Sequence, residues 1–223
     1  YMTTIKEYTI FPVKACIYFK QRDLYLLAGL YINAHYQKGV DYITTDTTYK
    51  QLSELTGVPV YYIKESFVPK LRASEYIQVR TVQVEPEVKR NTYYLPNPNI
   101  NFRYIWKELF DDKTLTPDEK GFMIGLYCMC ANNEFRIDLS DIEVYRHWNI
   151  AKNTYVKYRN LLINKKVIWS SYDVPMALTW TEHMDAKVIL YPHLGHTTWI
   201  DKVTSHTPDD DEIKDYLDTI KDE

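Results

Sequence analysis

Glycine is scarce in this chain, with six among 223 residues. That leaves little room for the glycine-rich loop with which nucleotide-binding enzymes cradle phosphates between a strand and a helix. Cysteine is scarcer still. Cys16, Cys128 and Cys130 are odd in number and show no CxxC spacing, and the last two sit in an apolar helical run. Buried free thiols in a reducing compartment are expected, not a disulfide or a zinc site. His193 and His196, in PHLGH, are spaced as metal ligands sometimes are, but no cysteine or carboxylate set accompanies them, so no metal is expected. No Ser-His-Asp or Cys-His arrangement is supported by spacing; neither a cofactor nor enzymatic activity is expected. Long apolar runs are missing, and no charged-then-apolar leader opens the sequence. The expectation is a soluble cytoplasmic protein with no membrane partner.

What the chain does have is apolar and aromatic material, 45% and 15% of its residues, enough for two modest cores or one large one. Its 21 tyrosines fall mostly at helical or strand core spacing and read as core and interface, not as base-stacking platforms. Charge is uneven. From Asp209 to Glu223 there are eight acids and two lysines, a net of −6; since the whole chain carries −3, residues 1–208 carry +3. A mildly basic body thus ends in a strongly acidic tail.

In order, Tyr8 to Phe19 reads as an edge strand or extended lead-in containing Pro12. Asp23 is placed to cap a helix through about Gln37, with Gly39 as its stop. Thr48 and Gln51 form a capping box for a short helix that Gly57 ends. Pro59 suits the first turn of a third helix, with Ile63, Phe67 and Leu71 on its buried stripe and Pro69 kinking it or widening a turn. Tyr76 to Val84 and Thr92 to Leu95 read as strands around a polar tip that holds Lys89 and Arg90. After the proline-rich stretch 96–101 the plan recurs. Phe102 to Phe110 leads in, and Thr116, Pro117 and Glu119 begin a long helix through about Cys130. Ser140 and Glu143 box a short one ending near Trp148, a third helix runs from Ala151 to about Asn164, and strands Val167–Tyr172 and Val188–Tyr191 flank Pro175. Gly29-Leu30-Tyr31 matches Gly125-Leu126-Tyr127 at an offset of 96, and Val58 and Ile63 match Ile150 and Tyr155 at an offset of 92. The order of caps, helices and hairpins marks a duplication.

The fold expected is mainly α with small β wings, an α+β chain of two tandem winged helix-turn-helix domains and an acidic carboxy-terminal helix or tail. Its boundaries fall at 1–95, a linker at 96–101, 102–200 and 201–223. In such a motif the exposed early residues of the third helix face the DNA major groove. In the second copy Tyr155, Leu162 and Ile168 hold the core side, which turns Lys152, Asn153, Val156, Lys157 and Asn160 outward, with Thr154 beside them. Lysine can donate to guanine edges or phosphates, and asparagine reads adenine bidentately. Arg146, His147, Lys165 and Lys166 suit phosphate contact. The first copy has Pro59, Val60, Tyr61, Lys64, Glu65 and Val68 outward, an apolar set better suited to protein, with Lys70, Arg72, Lys89 and Arg90 available to a DNA backbone. In the tail, Ile213, Tyr216, Leu217 and Ile220 recur at helical spacing, as in a helix that docks on a partner, an acidic arm that competes with DNA, or a frayed solubilising end.

The passages EYTIFPVKACIYFKQRDLYLLAGLY and FRYIWKELFDDKTLTPDEKGFMIGLY, each followed by its helix-turn-helix, resemble the replication initiators of plasmids and phages over residues 8–192. The arrangement is also similar to the winged-helix amino-terminal part of primosomal proteins of the DnaD type. The resemblance implies a double-stranded DNA-binding protein that initiates or organises replication, with a first domain that mediates homodimerisation and a second that grips origin repeats. The same pattern fits a winged-helix transcription regulator, and the apolar first copy fits an adaptor that binds protein.

Overall fold

The computed structural model describes residues 8–85, 88–130, 136–137, 139–165, 167–170 and 188–190. The wing around Pro175, the pair His193 and His196, Lys166 and the tail lie outside the described residues, as does the side chain of Lys89.

The chain runs β1 (Tyr8–Pro12), α1 (Ala15–Tyr18), α2 (Gln21–Asn33), β2 (Tyr42–Thr45), α3 (Tyr49–Thr56), α4 (Val60–Tyr62), a π-helical turn (Ile63–Phe67), α5 (Val68–Ala73), β3 (Gln78–Glu85) and β4 (Val88–Pro96). The second half repeats that sequence as β5 (Phe102–Trp106), α6 (Lys107–Asp111), α7 (Pro117–Met129), β6 (Arg136–Ile137), α8 (Asp141–His147), α9 (Lys152–Asn164), β7 (Ile168–Ser170) and β8 (Val188–Leu190). Each half has a three-stranded antiparallel sheet of one topology, β2-β4-β3 and β6-β8-β7.

Local chemistry sets the helix starts. Thr48 with Gln51, Thr116 with Glu119 and Ser140 with Glu143 each form a complete capping box. Gly57 closes α3 at φ +69°, a conformation a Cβ would strain. Asp23 behaves differently from the expectation. Helix α2 begins at Gln21, and the carboxylate turns away from its own backbone to accept from Tyr62 Oη at 2.9 Å and Lys70 Nζ at 2.7 Å. The helix stops at Asn33, well short of Gly39, because Ala34 goes extended and buries its methyl.

The third helix of the first half spans 60–73 with a π turn just ahead of Pro69, the widened turn expected where proline cannot donate its hydrogen bond. The extra residue in that turn rotates the remainder of the helix about its axis. Val68, expected outward, is buried.

The halves are not separate beads. β1 pairs antiparallel with β5, Tyr8 opposite Trp106 and Pro12 opposite Phe102. Helices α2 and α7 pack on one another, buried without a break over Asp23–Ile32 and Glu119–Cys128, and a single apolar core runs through both halves. A methyl group on Gly121 would sit 1.7 Å from the Gln21 carbonyl oxygen, so the two backbones meet there. Gly125 makes room for the Trp148 ring, as Gly29 does for Leu52, which is the physical content of the repeated Gly-Leu-Tyr. Arg22 and Asp118, 96 positions apart, join across the seam at 2.6 Å.

Candidate nucleic-acid interface

Helix α9 has one face committed to the core. Tyr155, Arg159 and Leu162 are buried, and both Tyr155 Oη (2.9 Å) and Arg159 Nε (3.3 Å) reach Asp141 at the start of α8. Burial, with the Asp141 carboxylate beside it, pushes the Tyr155 phenol far above its ordinary range, so it stays a donor to Asp141. This two-point attachment fixes how α9 rotates about its axis.

The opposite face carries the side chains that this rotation exposes. Lys152, Asn153, Val156, Lys157 and Asn160 are exposed and Thr154 is half-buried. Among the described residues no carboxylate lies within ion-pairing distance of Lys152 or Lys157; the Lys157 ammonium stands 5.2 Å over the Tyr158 ring. Arg146 and His147, at the end of α8, are exposed beside this face in sequence.

Other cations expected at a phosphate backbone have partners inside the molecule. Lys165 donates to Glu119 and to the Thr114 carbonyl, both at 2.8 Å. Burial alone would raise the Glu119 carboxyl, but the hydrogen bonds from Lys165 and Thr116 outweigh it and hold it below the usual carboxylate value. Lys70 is the counterpart in the first half, bonded to Asp23. Thus the third helix of each half is tied at its far end to an acid in the first turn of its long helix, Asp23 or Glu119, again 96 positions apart. Lys64 pairs with Glu65 at 3.0 Å on the surface. Arg72 donates to Thr81 Oγ1 at 2.9 Å, which continues through Asn91 to Tyr49.

Tyr61 (78% exposed) and Val60 (42%) stand free at the start of the first third helix. Arg90 is exposed on β4, opposite Val82 rather than in the loop between strands. Arg80, not singled out from sequence, stacks at 4.9 Å on Tyr94 on that same outer sheet face. The alternation of Gln78, Arg80 and Val82 on β3 was the available signal.

Among the described residues no group of three His, Cys, Asp or Glu could hold a metal ion, and no helix is long and apolar enough to cross a membrane. Comparison with protein-family models, with curated proteins and with solved structures gives no match for this chain.

Proposed function

We propose that this protein is a tandem winged-helix protein that binds double-stranded DNA site-specifically, in the manner of a replication initiator or replication-organising factor of a plasmid or phage. Helix α9 is the reading element. The strand–helix–helix–hairpin order of each half, with its sheet order of first strand, last strand, middle strand, supports the winged-helix assignment. The observation that carries the DNA reading is the amide- and ammonium-bearing face of α9. It stays exposed and without acidic partners among the described residues, while the opposite face is locked to Asp141. Lys152, Asn153, Lys157 and Asn160 would meet base edges, and Arg146 and His147 phosphates. No catalysis is proposed.

Fluorescence anisotropy on random duplex, followed by selection from a duplex pool, tests this reading. Reversing charge at Lys152 and Lys157 together should weaken binding at least a hundredfold and flatten its salt dependence. Lys64→Glu should change it less than threefold. The opposite ranking would overturn the assignment of α9.

A second reading, a winged-helix adaptor for protein, draws on the exposure of Val60 and Tyr61 and on the internal engagement of Lys70 and Lys165. It predicts no duplex binding at any salt concentration. A transcription regulator would share the DNA behaviour and differ in the site selected.

A further inference from the structure

Beside the turn that joins α8 to α9 lies a cleft of about 430 Å³, open on one side. Its walls come from both halves: Ile17 and Lys14 near α1, Ile100 before β5, Met129 at the end of α7, and His147 and Trp148. Ile17 is 66% and Ile100 86% exposed, unusual for large apolar side chains that flank the same concavity. The floor is rigid. Trp148 is buried against Gly125, and the Lys20 ammonium ties the carbonyls of Cys16 and Trp148 together. The buried Nε1–H of Trp148 has no hydrogen-bond partner among the described residues. Among the described residues no acid lines the cleft, and the charged one on its rim is Lys14.

The cleft therefore asks for an apolar ligand that carries negative charge. One stretch of this chain has that composition. Residues 209–223 hold eight acids, two lysines and an apolar stripe of Ile213, Tyr216, Leu217 and Ile220 at i, i+3, i+4 and i+7. Reach is no obstacle: the stretch from Leu190 to Ile213, extended at about 3.3 Å per residue, spans roughly 75 Å.

We propose that residues 209–223 dock as an amphipathic segment in this cleft of the same chain, with the apolar stripe against Ile17, Ile100 and Trp148 and the acids toward Lys14. Such docking places the chain's most negative stretch against the helix-turn-helix of the second half, and it does so whether or not that element reads DNA.

Zero-length carbodiimide cross-linking of the full chain tests the proposal, with equal amounts of ¹⁴N- and ¹⁵N-labelled protein mixed at low micromolar concentration. Expected are isopeptide links from Lys14 to carboxylates of 209–223 within single-isotope chains, reduced at least fivefold by Leu217→Asp and by Ile17→Asp. Ile17 is exposed, so its substitution spares the core; unchanged circular dichroism checks that both variants fold. Raising salt to 0.5 M should also reduce the yield. Mixed-isotope links would assign the cleft to a second copy, and links chiefly to Lys152 or Lys157 would put the tail on α9. Either result overturns the proposal, as does the absence of a Lys14 link or a yield indifferent to both substitutions.

Discussion

At the residue scale the molecule distinguishes lysines by their environment. Lys165 and Lys70 hold acids whose side chains are only 4% and 12% exposed, Glu119 and Asp23. Removing the partner of a fully buried ion costs about 3–5 kcal/mol. Here the lysines themselves are a third and a half exposed, so solvent screens much of the pair. Lys165→Ala and Lys70→Ala should each cost about 1–2 kcal/mol in urea unfolding; if α9 reads DNA as proposed, the folded variants should bind duplex within threefold of the wild type. Lys120 is the reverse case. It is buried at the seam, its ammonium bonded to the Phe110 carbonyl at 2.8 Å, and burial pulls its pKa down to about 8. The ordinary lysine value is higher, so the unfolded chain holds this proton more tightly than the folded one. Stability should therefore rise as pH climbs from about 8 toward the ordinary value. Buried tyrosines titrate in the opposite sense at still higher pH, so the measurement is a difference. The melting temperature of the wild type relative to Lys120→Met should increase between pH 7.5 and pH 9.5, and a flat difference would place the proton elsewhere.

At the scale of elements, packing depends on where backbones are allowed to approach. A Cβ on Gly125 would lie 1.9 Å from the Trp148 ring, and Trp148 is the residue on which α8 ends and the turn to α9 begins. Overpacking typically costs about 1–3 kcal/mol. Gly125→Ala should fall at or above the upper end of that range, seen in the unfolding midpoint, because at 1.9 Å either the ring or the helix backbone must shift. Much of this level was legible in the sequence wherever the determinant was local. The three capping boxes and the π turn ahead of Pro69 follow from side chains within a few positions of one another. Strands β2 and β6 were not, since four and two residues are too short to display an alternation. Asp23 misled for a physical reason: a carboxylate two residues inside a helix resembles a cap until Tyr62 and Lys70, far along the chain, claim it. On the candidate site, the outward side of α9 was readable from the spacing of Tyr155 and Leu162. The partners that remove Lys165 and Lys70 from the surface are long-range and left no periodic trace.

For the whole molecule, the informative feature is that one core serves both halves. The repeat was visible in the sequence, and the joint between its copies was not, because a helix apolar on every side announces burial without naming its neighbour. In α2 and α7 the neighbour is the equivalent helix of the other half. A fragment ending at residue 95 would leave the α7-facing side of α2 bare and β1 without its ladder. Expressed alone, it should aggregate or bind a hydrophobic dye, whereas the full chain should sediment as a defined species. The pairing of β1 with β5 bears also on how the protein comes into being. Tyr8 finds its place beside Trp106 only after about a hundred further positions have left the ribosome, a distant appointment for a strand. Until then the nascent chain displays an open β edge, which makes the interval between the two halves' translation the moment at which a chaperone, or a stray neighbouring polypeptide, has its best opportunity.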